Sequence, residues 1–125
     1  MLFAIFSLFL QIKIDLNSID IREGLIEQLK NENRFWSYDM DSIKYVSDDI
    51  LIEKVFIYLD LKDIDKLFKI LPFHVIKNCW KKHVIPLGSR YYSLNRFLAW
   101  YYFNIKNPGK YVKSIITHHI NSMTR

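Results

Sequence analysis

A chain of 125 residues that is 50% hydrophobic and 16% aromatic has enough apolar surface for one packed domain, which excludes intrinsic disorder. Three Gly and three Pro leave little room for tight hairpins, so the chain reads as all-α, a compact bundle of five to six short helices. Charge is split along it: residues 1–65 hold seven Lys/Arg against thirteen Asp/Glu, a net of −6, whereas residues 66–125 hold eleven Lys/Arg and no acid. The basic half implies an anionic partner, either DNA or an acidic protein surface.

Residues 1–18 form an apolar N-terminal segment, and residues 19–125 are expected to make a single helical domain. Met1 to Leu10 resembles a secretory hydrophobic region, yet no Lys or Arg precedes it and no small-x-small cleavage site follows. It is about half the roughly 20 apolar residues that span a bilayer, so no membrane partner is expected. The segment then lies over the core as a strand or helix, or is a translated upstream stretch. Ile12 to Leu16 alternates apolar and polar residues, which predicts a short strand.

From Ile19 to Lys30 the apolar residues Ile21, Leu25, Ile26 and Leu29 share one face, predicting the first amphipathic helix. Phe35 to Asp41 follows neither periodicity and reads as an ordered loop that drops Phe35 and Trp36 into the core. Ser47 is the N-cap of a helix to about Leu59, because Asp48 and Asp49 sit in its first turn, where free N–H groups favour anions. Asp60 to Lys62 is a link, and Asp63 to Leu71 a compact helix that Pro72 closes. A fourth helix from Phe73 to about Ile85 has an apolar arc of Phe73, Ile76, Cys79, Trp80 and Val84. His74, Lys77, Asn78, Lys81 and Lys82 occupy the opposite arc. Pro86 to Arg90 is a turn. Ser93 caps a fifth helix to about Asn104 that is apolar nearly all round, and so the most buried. Asn107 followed by Pro108 opens a last helix to about Met123, with Tyr111, Val112, Ile115, Ile116 and His119 inward.

The helix 63–71, the turn at Pro72 and the basic helix 73–85 have helix-turn-helix spacing. In that reading Lys77, Lys81 and Lys82 meet phosphates or guanine edges, Asn78 pairs an adenine, and His74 lies on the same arc. The bland alternative is a solvated lysine face. Arg90, Tyr91, Tyr92 and Arg96 have the composition of a protein-interface anchor, although Tyr91 and Tyr92 also suit closure of the core.

No metal or other cofactor is expected. Cys79 and His83 share a face of their helix while His74 points away, and the adjacent His118 and His119 diverge by about 100°. Asp39 and Asp41 form an acidic D-x-D, but no glycine-rich phosphate loop accompanies it, so turn capping is the expected role. No Cys/His or Ser/His/Asp set is credible, because no carboxylate lies near the histidines in sequence. The chain is therefore expected not to be an enzyme. A lone cysteine excludes an internal disulfide and suits a reducing compartment, so a cytoplasmic location is expected.

Phe35 to Ile43, Ile50 to Val55 and Tyr92 to Phe97 together resemble a family of small bacterial helical domains. Those domains open with a Phe-Trp-Asp-x-Asp type motif and continue with an Ile-Ile-Glu-Arg-Val type helix. The likeness covers residues 33–104, and Phe35, Trp36, Asp39 and Asp41 match the opening motif. Ser37 stands where the family tends to have Asp, and Leu61 and Lys62 replace a glycine-containing turn, so the resemblance carries fold rather than site. It implies an antitoxin-like regulator, often encoded beside nucleotidyltransferase-type toxins of the abortive-infection class, that pairs DNA binding with toxin binding. The alternative is a protein-interaction module that binds an acidic partner without nucleic acid.

Overall fold

The computed structural model describes residues 2–32, 34 and 46–123, and the expected loop holding Phe35, Trp36, Asp39 and Asp41 lies outside them. The protein is all-α, with six α-helices and no strand among the described residues: α1 (Leu2–Asn31), α2 (Asp48–Tyr58), α3 (Leu61–Ile70), α4 (Phe73–Cys79), α5 (Tyr92–Tyr101) and α6 (Pro108–Met123). They fall into two compact units, Met1–Pro72 and Phe73–Arg125.

In the first unit, α1 is continuous, so the strand expected at Ile12 to Leu16 does not form. Five alternating residues with no neighbouring strand among the described residues cannot satisfy their backbone, and Asn17 and Ser18 are tolerated inside a helix. Only the second half of α1 packs: Leu25 and Leu29 are buried, while every described side chain from Ala4 to Ile12 is exposed. No helix among the described residues is long and apolar enough to cross a membrane.

Ser47 caps α2 as expected, its hydroxyl accepting from the Ile50 N–H at 3.3 Å, and Leu51, Ile52, Val55 and Phe56 are buried. Arg22 ties α1 to the start of α2. Its guanidinium donates to the Asp48 carboxylate at 2.7 Å and to the Val46 carbonyl.

Helix α3 begins at Leu61, two residues earlier than the sequence suggests, because Asp60 and Asp63 form a capping box. Asp63 is thereby fully buried, accepting from the Asp60 N–H and the Gln28 side-chain amide, each at 3.3 Å. Lys66 lies 3.5 Å from its second oxygen. A buried carboxylate needs such partners, since an unpaired one would be expelled to water.

In the second unit the helix predicted over 73–85 changes gauge. After α4 the backbone widens into a π turn, Trp80–Val84, with the Ile85 N–H donating to the Trp80 carbonyl five residues back. It then tightens into a 3-10 turn, Ile85–Leu87. Pro86 has no N–H to continue the ladder, so the backbone must change pitch here. The extra residue in the wide turn lets Trp80, Val84 and Ile85 all be fully buried beside Ile76 and Cys79. Phe73, expected inward, is 50% exposed at the helix start, though its ring still packs on Phe103 at 5.7 Å.

Ser93 is not a cap. A 3-10 turn, Ser89–Tyr91, runs straight into α5, whose N-cap is Tyr91. Nor is α5 the most buried helix: Asn95, Leu98 and Ala99 are buried, while Trp100 and Tyr101 are 62% and 52% exposed. The helix ends before Asn104, which takes the left-handed φ of 51° that Asn tolerates, and the Ile105 N–H donates to the Ala99 carbonyl at 3.0 Å. Helix α6 opens on Pro108 as the sequence predicts, with Val112 buried and His119 half-buried.

Candidate nucleic-acid interface

The division into two units keeps the charge split of the sequence. Every Asp and Glu lies in the first unit, while residues 73–125 hold nine Lys/Arg and no acidic side chain. In the second unit, then, no cation can be neutralised by a carboxylate side chain of its own unit.

The five residues predicted for nucleic acid all reach solvent. His74, Asn78 and Lys82 are exposed, and Lys77 and Lys81 half-buried, which matches long stems lying along apolar surface with their ammonium groups in water. The π turn adds a feature the sequence does not predict. By taking one extra residue into its circuit it presents Lys81, Lys82 and His83 consecutively before the chain turns inward at Val84.

That widened turn is held by α5. The buried Asn95 accepts from the Trp80 indole N–H at 3.0 Å and donates to the Val84 carbonyl at 3.5 Å. Trp80 also stacks on Phe103 at 4.4 Å and on Tyr111 at 6.1 Å. The lysine-bearing turn therefore stands on a rigid aromatic floor.

The second predicted group lies where the 3-10 turn meets α5. Arg90 and Arg96 are exposed, and Tyr91 and Tyr92 half-buried. Each arginine sits over a tyrosine ring, Arg90 over Tyr91 and Arg96 over Tyr92, both at 5.6 Å. Lys113 of α6, which sequence reasoning missed, shares the Tyr92 ring at 5.7 Å. The glycine at 109 permits this approach of α6 to α5, since a Cβ there would come within 3.1 Å of the Tyr92 hydroxyl. Gly88, in the turn before α5, adopts φ 115°, a region L side chains rarely enter. A shallow hollow of about 350 Å³ follows at the start of α6, bordered by Lys106, Asn107 and Lys110.

The helix-turn-helix pair expected around Pro72 falls across the division, α3 in the first unit and α4 in the second. The DNA reading rests on α4, its π turn and the unit that carries them. The arrangement offers cations, an amide and aromatic rings, which is chemistry for binding phosphate and bases. No protein-family model matches the chain, and comparison with curated proteins and solved structures gives no significant match.

Proposed function

We propose that the protein is a non-enzymatic, antitoxin-like regulator of the cytoplasm that binds duplex DNA through α4 and its π turn. The observation that carries this reading is the second unit's nine Lys/Arg and no acidic side chain, with Asn78 and Lys82 exposed and Lys77 and Lys81 half-buried beside them. The lysines meet phosphates, Asn78 has the donor and acceptor that adenine recognition uses, and His74 flanks them. The resemblance to small bacterial antitoxin-like domains supports the same reading and adds a cognate toxin as a second partner.

A protein-interaction module that binds an acidic partner without nucleic acid is the second reading. It is favoured by Tyr91 and Tyr92, half-buried rings that each carry an arginine in the composition of an interface anchor.

A mobility-shift titration with random duplex at about 50 and 200 mM salt separates the two. With four to six phosphates engaged, log K falls with log salt at a slope of about −4 to −5, a loss of about 10²–10³-fold over that range. Absent binding at the lower salt, or an affinity that ignores salt, would remove the DNA reading and favour the acidic protein.

A further inference from the structure

The outer face of α5 has no part in the duplex contact proposed for α4 and its π turn. Tyr92, Arg96 and Trp100 recur every fourth residue, which places them on one side of the helix over two turns, about 12 Å. Phe97 and Tyr101 stand one position over, their rings parallel within 14° at 5.3 Å. Trp100 leans on both, 6.2 Å from Phe97 and 6.1 Å from Tyr101. Trp100 and Tyr101 nevertheless stand 62% and 52% exposed. Tyr101 also meets Tyr102 edge to face at 4.8 Å. Large rings packed on one another that stay more than half exposed mark a surface that another molecule covers.

Charge identifies the covering molecule. At one end of the row Arg96 and Lys113 both lie over the Tyr92 ring, two cations within 5.7 Å of one centroid, in a unit without an acidic side chain. A polyanion relieves that repulsion, whereas a second copy of this unit would set nine positive charges against nine. Duplex DNA offers the cations its phosphates but keeps its base faces stacked inside, so it leaves the rings unused. A strand with unpaired bases uses both.

We propose that the exposed face of α5 is a stacking platform for single-stranded nucleic acid, with unpaired bases on Trp100 and Tyr101 and phosphates held by Arg96 and Lys113. The platform does not depend on Lys77, Lys81 or Lys82.

Fluorescence anisotropy of the full chain with a labelled twelve-residue oligothymidylate, an abasic strand of equal length and charge, and a polyglutamate peptide tests it. The thymidylate binds at least about tenfold tighter than the abasic strand, a comparison that needs no variant. Replacing Trp100 and Tyr101 together by Ala lowers thymidylate affinity by about tenfold and leaves the abasic strand, the duplex and the circular dichroism spectrum unchanged. Equal affinity for the two strands overturns the proposal, as does an unaltered thymidylate affinity in the double variant. Tighter binding of polyglutamate than of thymidylate would make the same face a protein contact.

Discussion

Trp80→Ala is expected to unfold the second unit at a markedly lower urea concentration, with a loss of about 3–5 kcal/mol from the removed ring and the cavity it leaves. Trp80 is fully buried, stacks on Phe103 and Tyr111, and gives its indole hydrogen to Asn95. Truncation also strands the Asn95 side-chain oxygen in a dry interior, an added penalty of about 1–3 kcal/mol. Against a total of about 5–15 kcal/mol for a domain, that is a large fraction. Trp80→Phe keeps most of the stacking and loses the hydrogen bond, so it should fall between parent and Ala. Urea titrations followed by circular dichroism measure the series. An Ala variant within about 1 kcal/mol of the parent would mean that the aromatic floor under the π turn is not what holds it.

The second large effect is on binding. Reversing Lys77, Lys81 and Lys82 to Glu takes the second unit from nine positive charges to a net of three, without touching its buried side chains. Lys82 is exposed and Lys77 and Lys81 are half-buried, and Glu keeps part of their aliphatic stems, so each change should cost about 0.5–1 kcal/mol or less and helical content should stay close to the parent's. Duplex affinity should fall by about 10²–10³-fold, because three charge-assisted phosphate contacts are lost. The salt slope should flatten by about 2.7, since each neutralised phosphate contributes about 0.9. A triple variant that binds like the parent, together with loss of binding on reversing Arg90 and Arg96, would move the DNA contact to the turn before α5.

What could be read in the sequence was what depends on neighbours along the chain. Ser47 with Asp48 and Asp49, Pro108 after Asn107, the buried face of α2 from Leu51 to Phe56, and Ile76 and Cys79 of α4 are local patterns, and the structure shows them. What failed depends on distant partners. The burial of Asp63 is matched by Gln28, thirty-five residues away, and the π turn by Asn95 from the next helix. Ile12 to Leu16 fits a period of two over only five residues, too few to outweigh a helix that runs through them. An aromatic stripe is equally consistent with core or surface, and for α5 the core reading was wrong because only the Leu98 and Ala99 side is covered. In the candidate interface the 3.6-residue period put Lys77 of α4 on the outer arc, whereas the consecutive Lys81 and Lys82 are set by the π turn and Lys113 meets Tyr92 only because α6 folds back along α5.

The central claim is that the acid-free unit is the nucleic-acid-binding body. Hydrogen–deuterium exchange of the whole chain with and without a saturating random 20-base-pair duplex at low salt tests it most directly. Slowed exchange is expected in peptides from residues 73–87, with α1, α2 and α3 unchanged. Protection confined to residues 2–70, or none under conditions where the duplex is bound, would contradict it.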